Sequence, residues 1–247
     1  RVGTDRPTGA VVASISRQPP YGLDWPRDGA FFNVMLDASG QRELVSRRAT
    51  LYAEWQRKEP IPPEPLIDVE PPVDPDTEST DTYPAFAWEM NYYTDGLPGG
   101  VFRFEIDNTA FSLWAIVAHV GWLDEEAPAD YLRRHWPAIK GAADLLTRWR
   151  DAETGLHAPA QEDDNDDYTQ TLHGSVTTFG AIDIAARAAR LLGEDEDAAR
   201  WETRAEELRG AILTHQFDAG TGLFISEAAS EVNPGSKSSG PTAWALW

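Results

Sequence analysis

There is no cysteine among the 247 residues, so no disulfide framework, thiolate ligand or cysteine nucleophile can enter the chemistry. Lysine is nearly missing too: only Lys58, Lys140 and Lys237 stand among 21 basic residues, against 41 acidic ones. The formal net charge of -20 repels phosphate backbones and anionic lipid surfaces, which argues against a nucleic-acid or membrane partner. A surface poor in Lys and rich in Asp and Glu fits a protein that works in concentrated salt; it also fits a coding bias toward arginine. No apolar run reaches transmembrane length, and the opening RVGTDRPTGA lacks a secretory apolar core, which leaves a cytoplasmic location slightly ahead of a secreted one. That opening reads like the middle of a protein. Also missing are a Gly-rich phosphate loop, a GxSxG elbow and an HExxH pair. His119, His135, His157, His173 and His215 fall in no ligand spacing, so no metal or cofactor is expected.

What is present is apolar and aromatic. Hydrophobic residues make up 41% and aromatics 11%, with ten Trp, a globular composition for one large domain. Helical periodicity recurs over 24–38, 41–58, 108–123, 129–150, 171–192 and 196–215, and the patterns alternate in kind. In the first stretch Phe31, Phe32, Val34, Met35 and Leu36 leave little polar face. In the third, only Ser112 and His119 are clearly polar between Ala110 and Trp122, and His119 reads as a satisfied core histidine. The fifth carries small residues, Gly174, Ser175, Gly180 and Ala181 among them, that allow close packing. The second, fourth and sixth are amphipathic: Leu44, Leu51 and Trp55 oppose Arg42, Arg47, Arg48 and Arg57, and Trp136, Ile139, Leu146 and Trp149 mark the apolar face of the fourth.

Buried helices alternating with half-exposed ones predict three αα-hairpins side by side, an inner layer lining an axis and an outer layer shielding it. This is an αα-toroid. A closed ring of six hairpins, at ~50 to 70 residues each, needs about twice this chain, so residues 1–247 are expected to form an incomplete all-α (α/α)6 domain. The proline-rich stretch 59–84 cannot be helix. After the sixth helix, FDAGTGLFISE reads as a turn and strand, EVNPGSKSSG as a loop and PTAWALW as a helix barely begun.

Three segments lead into the inner helices: PPYGLDWPRD, GGVFRFEIDN and GLHAPAQEDDNDDYTQTLHG. All are rich in acids and aromatics, and in such a ring they open on one face, which locates a candidate site. In the first, Asp24 can cap the helix, Pro26 suits its first turn and Asp28 suits the macrodipole. Trp25 and Arg27 gain nothing from capping. Arg27 beside Asp28 offers donors and acceptors to a polyhydroxylated ligand, and Trp25 offers an apolar wall. In the second, Asp107 can cap the third helix, and Phe102 and Phe104 offer aromatic walls. In the third, the crowding of Glu162, Asp163 and Asp164 favours a protonated carboxyl suited to general-acid work; the bland alternative is a solvated acidic loop. Asp163, Asn165 and Asp167 alternate like the start of a calcium loop, but Tyr168 stands where glycine is needed and Gly174 where a bidentate Glu belongs.

TGAVVAS at 8–14, followed by YGLDWPRDGAFF, resembles the entry to the catalytic domain of the family 15 glycoside hydrolases, the glucoamylases, where a TGA segment precedes a Y-x-W-P-R-D motif. The resemblance is specific over 8–32 and continues loosely to about residue 225. It implies an (α/α)6 barrel and an inverting, exo-acting hydrolase that needs no cofactor and releases glucose from the non-reducing end of α-glucosides. It implies Arg27 and Asp28 as ligands of the terminal glucose, Asp107 in the wall of the sugar site, and Glu162 as general acid. Asp163 and Asp164 are alternatives, because no Trp precedes Glu162 and the gap to the next helix is long. The family's general base lies in the second half of the barrel, and Glu227 and Glu231 come too early to be assigned that role. Other readings on the same fold are a non-catalytic sugar-binding toroid and a trehalose hydrolase or phosphorolytic enzyme.

Overall fold

The six periodic stretches fold as helices: α1 (Pro26–Ala38), α2 (Arg42–Trp55), α3 (Ile106–Ala118), α4 (Pro128–Arg148), α5 (Leu172–Leu192) and α6 (Asp195–His215). The structure, a computed structural model, describes residues 8–15, 22–65, 69–124, 126–163 and 167–226. The expected boundaries move by a few residues for physical reasons. Pro26 takes the first position of α1, where its missing N–H costs nothing. The third helix starts at Ile106 and tightens into a 3-10 turn, His119–Trp122. The fifth is capped by Thr171, whose hydroxyl accepts from Gly174 N, and it stops at Gly193, with φ +78°. The turn-and-strand reading after α6 corresponds to a hairpin of β1 (Phe217–Asp218) and β2 (Leu223–Phe224), with Phe217 opposite Phe224. The stretches expected beyond it, Glu227 and Glu231 included, lie outside the described residues.

Helix α1 packs on α3 and α3 on α5, while α2, α4 and α6 pack outside them, so the helices form the expected inner and outer layers. The core between the layers is built on Trp88, Tyr131, Trp149 and Trp201, all fully buried. Burying each such ring contributes about 1.5–3 kcal/mol. Phe104 belongs to this core and not to a ligand wall: its ring meets Trp149 edge-on at 4.7 Å. In the stretch 59–84 no described residue lies in a helix or strand; backbone bonds between Ile61 and Tyr83 hold its ends together. No helix among the described residues is long and apolar enough to cross a membrane.

Three expectations change. The first helix is less enclosed than its composition suggests, with Met35 69% exposed and its buried face made of Gly29, Ala30, Asn33 and Asp37. Arg48 and Arg57, expected on the outer face of the second helix, turn inward because buried acceptors await them. Arg57 donates to the carbonyls of Pro84 and Arg103 and to Glu89. Asp24 is no cap, since the N-cap position of α1 is Trp25 and carries no side-chain cap. Asp24 is instead the counter-ion of Arg48, at 2.7 Å, and also accepts from Tyr52 Oη at 2.7 Å and Val11 N at 2.8 Å. His119 is the satisfied core histidine that its setting predicts, with Nδ1 2.9 Å from Asp37 and Nε2 2.7 Å from Ser46 Oγ.

Candidate active site

Backbone pairing draws the three mouths together. Asp24 and Tyr92 exchange two backbone bonds of 2.9 Å, and Ile106 N donates to Gln161 O at 3.0 Å. Arg27 N donates to Asn108 Oδ1 at 2.9 Å, which ties the first turn of α1 to that of α3. The acidic segment 161–163 thereby lies against the start of α3.

Asp107 is the hub. It is not a cap, since the N-cap position of α3 is Glu105. Its Oδ2 accepts from Arg27 Nη1 at 3.1 Å, His173 Nε2 at 3.0 Å and Asp163 N at 3.3 Å. Its Oδ1, equally buried, has no hydrogen-bond partner among the described residues. Burial pushes the Asp107 carboxyl up, but the hydrogen bond and charge of His173, then those of Arg27, outweigh it and hold it below the usual range. Conversely, burial pushes His173 down, and the bond and charge of Asp107, with the charges of Glu162 and Asp163, outweigh that and raise it. Between the ordinary aspartate value of about 4 and the ordinary histidine value of about 6.5, the two therefore stand as carboxylate and imidazolium. Arg27, only 11% exposed at its side chain, also lies 3.5 Å from Asp163 and 3.9 Å from Glu105.

Glu162 is 2% exposed. Its Oε2 accepts from Gly174 N at 2.7 Å and from the Thr171 hydroxyl, and its Oε1 accepts from Thr171 N at 3.1 Å. Two of these donors are N–H groups at the start of α5 and the third is the hydroxyl of its cap, so the carboxyl completes the capping there. His157 Nε2 lies 3.3 Å from Oε1. Its Nδ1 is 2.9 Å from the Ala158 carbonyl, which can only accept, so Nδ1 carries a hydrogen. Burial pushes the Glu162 carboxyl above its ordinary range; His157 and the Thr171 bond oppose that without cancelling it.

The other expected residues fall as follows. Asp163 is 74% exposed at its side chain and has φ +53°. Asp164 and Asn165 lie outside the described residues. Trp25 is buried just before α1, and Asp28 is half-buried in its first turn. Phe102 is buried, its carbonyl accepting from Met90 N at 3.0 Å. The polar contacts bring together Arg27, Asp107 and Asp163, and the first turn of α5 adds Glu162 through its cap and His173 through Asp107. No group of three or more metal-ligating side chains forms among the described residues. His157 and His173 were set aside in the sequence for lack of ligand spacing. The signal that could have found them is their place at the two ends of the acidic loop.

Gly174 is fixed by Glu162. A Cβ there would stand 2.5 Å from the Glu162 Cδ and Oε2, while one at Gly180, on the same helix, would meet nothing within 4 Å. Gly180→Ala should raise stability by about 0.5–1 kcal/mol through helix propensity. Gly174→Ala should lower it by about 1–3 kcal/mol, because the buried carboxyl must leave its donors. Urea unfolding of the two variants checks the opposite signs.

The family model of glycosyl hydrolases family 15 matches residues 1–240. An uncharacterised glycosyl hydrolase of Methanocaldococcus jannaschii is 25% identical over 138 residues, 56% of this chain and 18% of that protein. Among solved structures, a glycosidase variant in complex with glucose superimposes with a TM-score of 0.65 at 17% identity, over 93% of this chain and 57% of its own. A bacterial glucoamylase complexed with acarbose gives 0.65 at 16% identity, over 92% and 30%. The Hormoconis resinae glucoamylase gives 0.60 at 15%, over 93% and 36%. The layered helices are thus the glucoamylase toroid, and the chain spans 57% or less of the length of each of these relatives.

Proposed function

The chain belongs to glycosyl hydrolases family 15, and on that premise we propose that it forms part of an exo-acting α-glucoside hydrolase that releases glucose from the non-reducing end with inversion. The observation that carries this reading is the orphaned Oδ1 of Asp107. A buried carboxylate oxygen without a donor costs about 1–3 kcal/mol, and a sugar hydroxyl supplies the donor it lacks. Arg27 and Asp28 then bind neighbouring hydroxyls, with Trp25 and Phe102 as the apolar side of the pocket. Relatives solved with glucose and with acarbose support a sugar as the ligand.

Glu162 is the general acid. Its burial favours the protonated form, which is what the leaving glycosidic oxygen needs. Inversion also requires a carboxylate ~6.5 to 9.5 Å away to activate water, and no described residue is assigned that role. The test is proton NMR of maltose digestion by the full-length protein. β-Glucose as the first-formed anomer is expected. α-Glucose would overturn inversion, and fragments longer than glucose from a maltopentaose digest would overturn exo action. Glucose binding without turnover would make the protein a sugar-binding toroid, and turnover that depends on inorganic phosphate would make it phosphorolytic.

A further inference from the structure

Resting on that sugar site, we propose that His173 is a positioning residue: its protonated ring fixes the Asp107 carboxylate for the glucose hydroxyls, so the affinity of the site for sugar depends on pH through His173. The geometry is asymmetric in a way that calls for such a role. All three donors to Asp107 converge on Oδ2, from α1 through Arg27, from α5 through His173 and from the acidic loop through the Asp163 amide. Oδ1 is left bare. The plane of a carboxylate with one pinned oxygen is set by the donors that pin it, and the side-chain donors here come from two different helices. Losing either allows the carboxylate to turn, and small misplacements of a binding group are costly.

Of those two side chains, Arg27 is charged at every working pH and His173 is not. Among the described residues, the groups that face the His173 ring are Asp107 on α3, Arg27 behind it on α1, and Glu162 and Asp163 on the acidic loop. Glu105 lies beyond them, 3.9 Å from Arg27. Phe111 on α3 stands 6.0 Å away at 43° and brings no charge. Three carboxyls around one imidazole favour its cation. Once the proton leaves, the bond to Oδ2 loses the charge on its donor and keeps only the charge on its acceptor, which weakens it. Sugar binding therefore weakens as pH rises through the His173 titration, and by linkage bound sugar raises that titration further.

The experiment measures glucose affinity by calorimetry in the full-length protein carrying Glu162→Gln, which removes the neighbouring carboxyl that burial raises. The glucose Kd should rise about fivefold between about pH 6 and 9. With His173→Gln added, it should be uniformly weak and flat with pH. In parallel, NMR of the unmutated ring should show His173 titrating above its ordinary value of about 6.5, and moving higher with glucose; this holds the test if the double variant fails to fold. A Kd that is flat before His173 is changed, or that keeps its slope afterwards, overturns the inference and leaves the sugar site standing. A ring whose titration glucose does not move overturns it too. No glucose binding at any pH is the separate result that removes the sugar-site reading itself.

Discussion

Glu162→Gln should lower kcat on maltose by about 10²- to 10⁴-fold, the usual worth of a general acid, in a protein that stays folded. Glutamine matches glutamate in shape, so its carbonyl oxygen can take the bonds from Gly174 N and the Thr171 hydroxyl and its amide can donate to His157 Nε2, at the loss of the one bond from Thr171 N. What it lacks is the transferable proton. The pH dependence follows from burial, which raises the Glu162 carboxyl: wild-type kcat should hold below that raised value and fall as pH rises through it. The stability consequence has the same sign. A carboxyl raised on folding contributes stability that is fully present below its unfolded value and lost as pH rises through its folded one. Wild type should lose stability through that window and the glutamine variant should not. Glucose release and melting midpoints from about pH 4 to 8 check both. An unchanged kcat would reduce Glu162 to the cap of α5 and leave the acid role to Asp163.

The helices were legible in the sequence because their apolar spacing is a local property, and so was their assignment to two layers. The third stretch shows this best: with only Ser112 and His119 clearly polar between Ala110 and Trp122, it had to be enclosed. The partners of the polar residues were not legible. Asp24 sits where a cap belongs by every local rule, yet its counter-ion is 24 residues away on the next helix. Arg48 reads as an outward charge from the periodicity of α2, because a helical wheel cannot show that a carboxylate from another segment waits beneath it. Phe104 illustrates the same limit, since its neighbour Trp149 comes from α4. In the site, the sequence located Arg27, Asp107 and Glu162 through the mouths of the inner helices. It missed His173 and His157 because it searched for histidines spaced as metal ligands. Here His157 lies beside Glu162 of the acidic loop and His173 of α5 beside Asp107 of α3, an arrangement with no fixed spacing.

Arg48→Met should cost about 3–5 kcal/mol of folding stability, a large part of the roughly 5–15 kcal/mol a domain possesses. Both partners of the Arg48–Asp24 pair are fully buried. Removing the guanidinium also removes donors to Gly9 O at 3.0 Å and Asn33 Oδ1 at 2.6 Å. The Asp24 carboxylate would keep only Tyr52 Oη and Val11 N as donors, too few to offset a buried charge. The contrast is Arg133, exposed on α4 and 3.6 Å from an equally exposed Asp130, whose replacement by Ala should cost less than about 0.5 kcal/mol. Asp24→Asn in the Arg48→Met background should recover part of the loss, since it removes the stranded charge, and the coupling between the two sites should exceed about 1 kcal/mol. Urea unfolding measures this as a lower midpoint at an unchanged slope. The pair also bears on the site, because Asp24 carries the backbone link to Tyr92 and immediately precedes Trp25 and the first turn of α1. Arg48→Met should therefore weaken glucose binding as well, although no atom of Arg48 reaches Arg27 or Asp107. If stability fell as stated and glucose affinity did not change, the links to Tyr92 and Asn108 would hold the mouth of α1 without the ion pair, which would serve the fold without serving the site.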